Sequence, residues 1–538
     1  MTPTQPALSI DFYKADHRSQ YQPRTELVYS NFTPRSAKLF NASRYFDGKV
    51  VVFGLQIFIK DYLIREWNEQ FFNQPMNVVV PRYKRFMDAT LGQDVISVDH
   101  IEALHDLGYL PILIRALPEG TRSPIGVPVL TIENTLPEFF WLTNYLESVM
   151  SSEIWKPMTY ATIAYEYRRT FEHYADLTGA SKDLIPFQLH DFSFRGASCR
   201  EESLKSGIGF LTSNYGTDSC LSIIGAETWY NADITKELVG TSVPATEHSC
   251  MCSNIAFIKD QLFYNGEWEF ATKTGSAKLT IEDLQYDETH TDLQRLAEIA
   301  YIWYLVTELY PTGIVSIVSD SYDFWYLMEY GIQVLKPAIE ARQPNALGLA
   351  KVVFRPDSGN PVDIICGSNY SEVPVEQKGA MACLYNVFGY STNEQGYRHL
   401  NPKVGLIYGD SITLERQEAI LRRLAEDKCA TDCIVLGVGS YSLCMNSRDT
   451  LGFAMKATYT EINGQGYEIY KDPKTGDGTK TSAKGLLVVE NTLFGPALFD
   501  QSNKYSINKP SNLLQPTFQD GILLRETSLS EIRALLHP

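Results

Sequence analysis

The sequence predicts an α/β protein whose parallel strands form a barrel or an open sheet. Four short apolar runs lack polar alternation, which is typical of strands buried on both faces. Helical stretches separate several of these runs, as expected for parallel strands joined by crossover helices. Each run ends in acidic, small or glycine residues, and in such folds the chemistry lies where strands end. The runs are 315–318 before Ser319-Asp320, 351–354 before Arg355, 403–408 before Gly409-Asp410, and 433–436 before Gly437.

Length and charge narrow the function further. The 538 residues can hold two or three domains with a large core. A net charge of −17 argues against nucleic acid and membrane partners, because both attract basic surfaces. The first residues do not have the pattern of a signal peptide, and no apolar run approaches the ~20 residues of a membrane span. The nine scattered cysteines indicate reduced thiols, so we expect a cytoplasmic protein.

The rest of the chain supplies further helices and a candidate insertion. Helical patterns cover 57–72 and 139–150, and strand candidates at 50–53 and 110–114 could form a separate domain with them. A longer helix is predicted over 160–177 and another over 413–425. Residues 254–311 have the character of an insertion ending in an amphipathic helix over 291–309. Residues 367–402 are predicted to be a polar surface excursion.

The first candidate site is the turn after the run 351–354. Arg355 offers planar donors for a phosphate, and Asp357 can accept hydrogen bonds from ribose-like hydroxyls or hold Mg²⁺ through water. Pro356 and Pro361 stiffen the turn, and Gly359 allows close backbone approach. The alternative is a structural turn in which Arg355 and Asp357 pair with each other.

Two further candidates contain histidine or aromatic side chains. His248 is a possible nucleophile or base that Glu247 could orient, although a histidine buried in the core is the alternative. In the segment 190–196, Phe192 could stack on a flat ring and Arg195 could approach a phosphate or ring edge. The alternative for this segment is a strand with core aromatics.

The weakest candidates are a glycine turn and a lysine-rich loop. Backbone N–H groups of the turn 437–440 could cradle a monophosphate, ahead of Arg448 and Lys456. A short G-x-G turn carries little specificity alone. Lys471, Lys480 and Lys484 lie in a polar run for which a solvated loop is the simpler interpretation.

Taken together, these segments closely resemble the nicotinamide phosphoribosyltransferases, a family of type II phosphoribosyltransferases. The family condenses nicotinamide with phosphoribosyl pyrophosphate (PRPP) to nicotinamide mononucleotide and pyrophosphate, a step of NAD salvage. The matching motifs occur in the family's order. They are DFYK at 11–14, HDFSFRG at 190–196, GTD at 216–218, SVPATEHS at 242–249, SDSYD at 319–323, RPDSGNP at 355–361, GD at 409–410 and KDP at 471–473.

The resemblance implies an irregular α/β barrel over 156–449. A second, mainly β domain would be built from both chain ends, 1–155 and 450–538. Phe192 and Tyr13 would sandwich the pyridine ring, with the tyrosine supplied by the partner of a homodimer that shares its active sites. Asp218 would accept the carboxamide N–H, a choice that favours an amide over the like-charged carboxylate of nicotinate.

The resemblance also implies how the sugar and phosphates are held. Asp357 and Asp410 would hold the ribose hydroxyls beside Arg355, and catalysis would rest on positioning and electrostatics. Mg²⁺ would be held mainly by phosphates, without direct side-chain ligands. Further contacts are expected from three groups of residues: Arg195, Ser316, Asp320 and Gly409 to the substrates; Gly439, Ser440 and Arg448 to the 5-phosphate; and Arg35, Lys456, Lys471 and Lys480 to pyrophosphate or ATP.

His248 matches the histidine that is phosphorylated in the family, where ATP hydrolysis is coupled to tighter substrate binding. Glu247 would orient that imidazole. The chain departs from the family pattern in its glycine-poor phosphate turn, where Tyr441 narrows the site, and in the added length over 254–311.

Two alternatives stay open from the sequence. A nicotinate-preferring phosphoribosyltransferase would use the same scaffold, although Asp218 argues against it. A non-catalytic nucleotide-binding protein on this scaffold would be expected to have lost catalytic groups, and those groups are present here. An unrelated metal-dependent barrel enzyme would need a clustered metal set, which the sequence does not suggest.

Overall fold

A computed structural model describes residues 5–471 and 483–538. The N-terminal part alternates short strands and helices around an aromatic core. The predicted helix over 57–72 begins as a short α-helix and continues as wider π-helical turns, Phe58–Glu66 and Asn68–Phe72. The elements are α1 (His17–Gln20), β1 (Thr25–Thr33), β2 (Lys49–Val51), α2 (Leu55–Ile57), α3 (Met76–Leu91), α4 (Asp99–Leu107), β3 (Ile112–Ala116), β4 (Arg122–Pro124), β5 (Leu130–Asn134) and α5 (Leu142–Tyr145).

The middle of the chain carries the predicted parallel strands. The four apolar runs form the strands Gly313–Val318 (β10), Ala350–Arg355 (β11), Val404–Tyr408 (β14) and Ile434–Val438 (β15). The elements are α6 (Glu147–Thr178), β6 (Leu189–Asp191), α7 (Arg200–Leu211), β7 (Gly216–Thr217), α8 (Cys220–Trp229), α9 (His248–Asn265), β8 (Glu267–Thr272), β9 (Gly275–Thr280), α10 (Ile281–Leu284), α11 (Leu293–Tyr304), β10 (Gly313–Val318), α12 (Phe324–Tyr326), α13 (Ile332–Ala341), β11 (Ala350–Arg355), α14 (Pro361–Cys366), α15 (Pro374–Phe388), β12 (Tyr390–Thr392), β13 (Arg398–Leu400), β14 (Val404–Tyr408), α16 (Leu414–Glu426), β15 (Ile434–Val438) and α17 (Ser440–Leu443).

The C-terminal part returns to β structure and ends in a helix. It contains β16 (Ala454–Ile462), β17 (Gln465–Glu468), β18 (Leu486–Thr492), β19 (Gly495–Ser502), α18 (Lys504–Ile507), β20 (Gln515–Gln519), β21 (Ile522–Leu523) and α19 (Leu529–Leu536). Ser528 caps α19 through a reciprocal hydrogen-bond pair with Glu531, which satisfies backbone N–H groups that the first turn leaves unpaired.

Six parallel strands form the central sheet, in the order β10-β11-β14-β15-β6-β7. Residues 241–246, here called the closing segment, join its two edges. Thr241 forms a parallel bridge with Gly216 of β7, and Ala245 forms one with Ser316 of β10. The Thr241 N–H donates to the Tyr215 carbonyl at 2.7 Å, and the Ser316 N–H donates to the Pro244 carbonyl at 2.9 Å. The sheet is therefore closed into an irregular barrel, which confirms the predicted fold class.

A seven-stranded antiparallel sheet lies beside the barrel, in the order β17-β16-β1-β5-β3-β20-β21. Its central pairing joins β1 to β16, where Asn31 lies opposite Lys456. Strands from both ends of the chain therefore share this sheet. The exact division of the chain at residues 155 and 450 stays a prediction, and α6 runs without interruption from Glu147 to Thr178 across the first boundary.

Two regions differ from the expectation. Residues 367–402 are not wholly a surface excursion, because α15 buries Ala380 and Leu384 in the core. The helix predicted over 291–309 is α11 followed by the π-helical turn Leu305–Leu309. Residues 254–311, predicted to be an insertion, hold most of α9, the β8–β9 hairpin and α11, and α11 packs on α9.

Helices α6 and α7 cross closely beside the barrel. A Cβ atom on Gly209 of α7 would lie 2.7 Å from the Pro157 carbonyl oxygen and 2.9 Å from the Ala161 nitrogen, both in α6. Only glycine fits this crossing without a shift of backbone. Among the described residues, no helix has the length and apolar character needed to cross a membrane.

Candidate active site

The predicted site residues gather where the parallel strands end. Each of the six barrel strands contributes, so neighbouring strands place their side chains along one rim. In sheet order the contributions are Asp320 after β10, Arg355 and Asp357 at the end of β11, Gly409 and Asp410 after β14, Gly437 and Gly439 at the end of β15, Phe192 after β6, and Asp218 after β7.

Phe192 presents its ring at the centre of this rim. Its N–H donates to the Val438 carbonyl at 2.9 Å, which extends the β6–β15 ladder by one residue. The ring lies 4.7 Å from the ring of His190, centre to centre. A Cβ atom on Gly437 would meet the Phe192 ring, and it would lie 2.7 Å from the Cα of Gly409. The two glycines therefore leave the space that the aromatic ring occupies.

Asp218 is the anionic group beside that ring. Its Oδ1 accepts hydrogen bonds from His190 Nε2 and Ser242 Oγ, both at 2.7 Å. Burial raises the pKa of Asp218, but these two hydrogen bonds and the charges of His190 and Arg355 outweigh it and hold the pKa below its ordinary value. Asp218 is therefore ionised at neutral pH.

Arg355 lies between acidic side chains at the end of β11. Its guanidinium donates to the Thr246 carbonyl of the closing segment. Burial lowers the pKa of Arg355, while the charges of Asp357, Asp218 and Asp320 oppose that effect. Among the described ion pairs there is none between Arg355 and Asp357, so the simple structural turn considered from the sequence is not what forms. The exposed Arg195 is close enough for its positive charge to lower the pKa of Arg355 as well.

His248 begins α9 and makes its contact with Asp320. Its Nε2 lies 3.1 Å from Asp320 Oδ1, and Asp320 Oδ2 accepts the Asp357 N–H at 2.9 Å and the Ser358 hydroxyl. The expected orienting residue, Glu247, is exposed and makes no described side-chain hydrogen bond. Adjacent residues at a helix start point in different directions, which explains why Asp320 takes this place.

Asp357 and Asp410 are both exposed at the rim. Burial raises the pKa of Asp357, and the neighbouring charges of Asp320 and Asp410 add to this effect, although Arg355 and His248 oppose it. Ser316 lies deeper, on β10, and its buried hydroxyl has no hydrogen-bond partner among the described residues. An unpaired buried hydroxyl is a ready donor or acceptor for a ligand.

The predicted phosphate turn begins a short helix. Gly439 precedes α17, whose first residue is Ser440. A Cβ atom on Gly439 would meet nothing within 4 Å, so the space above its backbone is open. Arg448 follows in an exposed turn, where it pairs with Asp449 at 3.4 Å.

The remaining predicted cations form a second group on the antiparallel sheet. Burial lowers the pKa of Lys456, and the positive charges of Arg35, Lys14 and Arg448 lower it further, whereas Glu147 opposes them. Arg35 also donates to the Gly452 carbonyl at 3.2 Å. Lys471 is at the edge of the described residues. Lys480 and the end of the KDP motif lie outside them.

Tyr13 belongs with this second group rather than with the rim. Its ring is exposed and contacts His17, at 5.4 Å between centres, and the Lys14 ammonium, at 4.9 Å. Lys14 is buried and pairs with Glu147. Within one chain, the described ring contact of Phe192 is therefore His190 and not Tyr13.

The rim does not form a side-chain metal cage. Among the described residues, no group of three or more His, Cys, Asp or Glu side chains is arranged to hold a metal ion. Single carboxylates such as Asp357 and Asp410 remain. They suit Mg²⁺ that keeps most of its water and phosphate ligands.

Sequence reasoning did not select His190 and Ser242 as site residues. Both lie within motifs quoted above, and His190 could have been found from strand geometry. Residues i and i+2 of a strand share one face, so a histidine two positions before Phe192 faces the same space. Ser242 offers no such signal, because its contact with Asp218 depends on the closing segment.

The closed barrel, its charged strand ends and the companion antiparallel sheet together define the architecture of a type II phosphoribosyltransferase. Two solved structures share this fold over nearly the whole chain. A nicotinate-nucleotide pyrophosphorylase from Pyrococcus furiosus has a TM-score of 0.50 at 14% identity, covering 99% of this chain and 95% of its own. The human nicotinic acid phosphoribosyltransferase has a TM-score of 0.50 at 16% identity, covering 98% and 92%.

The chain belongs to the nicotinate phosphoribosyltransferase (NAPRTase) family, whose model matches residues 187–521. A nicotinamide phosphoribosyltransferase of Acinetobacter baylyi is 50% identical over 533 residues, 99% of this chain and 97% of that protein. One from Xanthomonas campestris pv. campestris is 29% identical and covers 98% and 97%. The predicted family resemblance and class of enzyme, a pentosyltransferase, are confirmed.

Proposed function

We propose that the protein is a nicotinamide phosphoribosyltransferase of NAD salvage. It joins nicotinamide to PRPP and releases nicotinamide mononucleotide and pyrophosphate. The observation that carries this proposal is the ionised Asp218 beside the Phe192 ring. The two described hydrogen bonds of the Asp218 side chain both fall on Oδ1, so Oδ2 can accept the carboxamide N–H. The carboxylate of nicotinate would instead meet a like charge.

The division of the site residues into two groups supports a homodimer. Along the rim, Asp218 acts on Arg355 and is joined to the Phe192 ring through His190. In the second group, Arg35 and Lys14 act on Lys456, and the Lys14 ammonium lies over the Tyr13 ring. A ring that must be stacked on both faces needs a second aromatic. The exposed Tyr13 of a second copy supplies it, together with cations for the phosphates.

In this proposal the ribose and phosphates of PRPP lie across the strand ends. Asp357 and Asp410 accept hydrogen bonds from the ribose hydroxyls, and the open backbone at Gly409, Gly439 and Ser440 lets sugar and phosphate approach closely. Further contacts come from residues around the ribose site. They are Ser316 and Arg195 at nicotinamide, Asp320 next to Asp357, Arg448 at the 5-phosphate, and Arg35, Lys456, Lys471 and Lys480 at pyrophosphate or ATP.

The reaction is a substitution at the anomeric carbon of the ribose. The bond to pyrophosphate breaks, positive charge develops on the sugar, and the pyridine nitrogen forms the new bond. Phe192 holds the ring in line, and the carboxylates of Asp357 and Asp410 favour the developing cation. Asp357 and Asp410 would hold Mg²⁺ through its water and phosphate ligands, and the bound cation would supply positive charge for the leaving pyrophosphate.

His248 is proposed to accept a phosphoryl group from ATP. Its ring is half-exposed at the rim, and Asp320 contacts Nε2. Asp320 also holds the Asp357 N–H, so a change of charge on His248 reaches a ribose-binding residue through one side chain. This link is a physical route by which ATP hydrolysis strengthens substrate binding.

The nine free thiols, all within the described residues, support a cytoplasmic location.

The test is mononucleotide formation from PRPP and Mg²⁺ with nicotinamide and nicotinate in parallel, each with and without ATP. We expect product from nicotinamide that rises with ATP. Product without ATP stimulation would keep the transferase and remove the role of His248. Preference for nicotinate would establish the nicotinate-preferring alternative, and no product from either base would establish the non-catalytic one.

A further inference from the structure

Arg533, on the C-terminal helix α19, reaches the part of the barrel that carries the base pocket. Its side chain donates three hydrogen bonds to backbone carbonyls of distant segments. Nε donates to Leu211 at 2.7 Å, Nη1 to Leu238 at 2.8 Å and Nη2 to Val239 at 2.6 Å. The guanidinium carbon also lies 4.4 Å from the centre of the Tyr215 ring. One side chain therefore contacts the last residue of α7, the residue before β7, and two residues that lie shortly before the closing segment.

These segments lead directly to the pocket for the base. Tyr215 precedes β7, which ends at Asp218, and Val239 lies two residues before the closing segment. The Thr241 N–H donates to the Tyr215 carbonyl at 2.7 Å, and the Thr217 N–H donates to the Thr241 carbonyl at 3.0 Å. One residue further on, the Ser242 hydroxyl donates to Asp218. The separation between Ser242 and Asp218 thus depends on the same two backbone segments that Arg533 joins.

We infer that Arg533 is a positioning residue for the base pocket, acting through the closing segment on the Ser242–Asp218 contact. This inference rests on the proposed function and deepens it. It identifies a residue outside the pocket that determines how well the pocket selects its base.

The chemistry of the contact requires arginine. The planar guanidinium presents donors in a fixed fork, and here all three nitrogens are used against three different carbonyls. Burial lowers the pKa of Arg533 to about 10, against the opposing charges of Tyr215 and Glu237, so the group keeps its charge at neutral pH. A lysine ammonium on a flexible stem cannot reproduce the fork or the stacking on Tyr215.

A purely structural role would be to dock α19 on the protein. Ile532 and Leu536 of α19 are buried in a cluster with Leu211 and Val239, so the helix has an apolar anchor independent of Arg533. Replacing Arg533 by lysine should therefore leave α19 docked and loosen only the segments that the guanidinium joins. The two roles then give different kinetic results.

The experiment compares Arg533→Lys with Arg525→Lys in steady-state assays of the full chain. Arg525 is a matched control because it also ties the C-terminal region to a carbonyl, that of Ala116 at 3.1 Å, but in the antiparallel sheet. We expect Arg533→Lys to raise KM for nicotinamide about tenfold, while KM for PRPP changes less than about twofold. Arg525→Lys should leave both within about twofold. An equal rise of both KM values for Arg533→Lys, with a lower melting temperature, would overturn the inference.

Three further measurements test this inference, and the first of them does not depend on the proposed function. Hydrogen exchange of residues 217 and 241 should accelerate in Arg533→Lys whichever base is the substrate, and unchanged exchange would contradict the positioning role. In a double-mutant cycle, Ser242→Ala and Arg533→Lys should be non-additive in their effect on KM for the base. Additive effects would show that Arg533 does not act through Ser242. Added guanidinium should partly restore the KM for nicotinamide of the Arg533→Ala variant.

Discussion

Asp218 shows how a single carboxylate can encode base preference at the residue scale. Two donors hold it ionised, so its charge does not depend on the ligand. We predict that Asp218→Asn lowers the ratio of kcat/KM for nicotinamide over nicotinate by about tenfold or more, because the like-charge penalty against nicotinate disappears. Parallel assays of both bases measure this ratio. Asp176→Asn, which removes an equal charge from an exposed position, should leave it unchanged.

Gly437 provides a second residue-scale prediction. A side chain here would meet the Phe192 ring and the backbone of Gly409. We expect Gly437→Ala to displace the ring and raise KM for nicotinamide by about tenfold or more, since stacking on the base depends on ring position. Gly439→Ala, at an open position on the same turn, should act on KM for PRPP instead. The same effect of both variants on both substrates would argue against a separate stacking role.

Glu298 of α11 is a buried acid behind the rim. Burial and the charges of Asp323 and Asp320 raise the pKa of Glu298 to about 8, from an ordinary value of 4.5. The folded state therefore keeps a proton that the unfolded chain loses above that ordinary value. The stability that this group contributes is full below pH 4.5 and falls as the pH rises towards 8.

We predict that Glu298→Gln removes this pH dependence. The natural protein should lose stability between pH 5 and pH 8, whereas the variant should not. The difference in unfolding free energy, variant minus natural protein, should therefore be larger at pH 8 than at pH 5 by on the order of 3 kcal/mol. Urea unfolding at pH 5, 6.5 and 8 measures the difference. Parallel pH profiles of the two proteins would show that Glu298 titrates normally.

At the scale of elements, the crossing of α6 and α7 tests how tightly the barrel is braced. Gly209 leaves no room for a Cβ atom between the two helices. Gly209→Ala should lower the free energy of unfolding by about 2 kcal/mol, because neither backbone can yield cheaply. Gly405→Ala is the control and should change stability little, because the new Cβ meets only side-chain carbons of Lys351 at 3.4 Å and Val353 at 3.7 Å. Equal stabilities would show that the helices can separate without cost.

Elements also show where sequence reasoning works and where it stops. Strands β10, β11, β14 and β15 were predictable because their β-branched runs have no helical period. Strands β6 and β7, of three and two residues, are too short to show any period. The partner of His248 could not be predicted either, because Asp320 lies 72 residues away and is brought close only by the barrel. Glu247 is predicted from adjacency alone, and helix geometry does not support a contact between adjacent side chains.

At the scale of the whole molecule, one buried and one partly buried histidine should weaken the protein in acid. Burial lowers the pKa of His100 to about 4 and that of His537 to about 3, both from an ordinary value of 6.5. The unfolded chain therefore takes up protons that the folded protein refuses. Their contribution to stability is full above pH 6.5 and is lost as the pH falls towards these values.

His100 offers the cleaner test because it lies between Trp141 and Tyr83. Neither of its ring nitrogens has a hydrogen-bond partner among the described residues. His100→Phe should reduce the loss of stability between pH 6.5 and pH 4 by on the order of 3 kcal/mol. Unfolding free energies across this range measure the effect. An unchanged acid profile would mean that His100 is protonated in the folded protein.

The contacts of Arg533 also determine the order in which parts of the protein fold. They join residues that are 294 to 322 positions apart in the sequence. Because synthesis runs from the N-terminus, β6, β7 and the closing segment leave the ribosome long before α19 exists. Contacts of such separation form late during folding, since the intervening chain must first be ordered. A nascent chain can thus contain every residue that contacts the base and still lack Arg533, which aligns them.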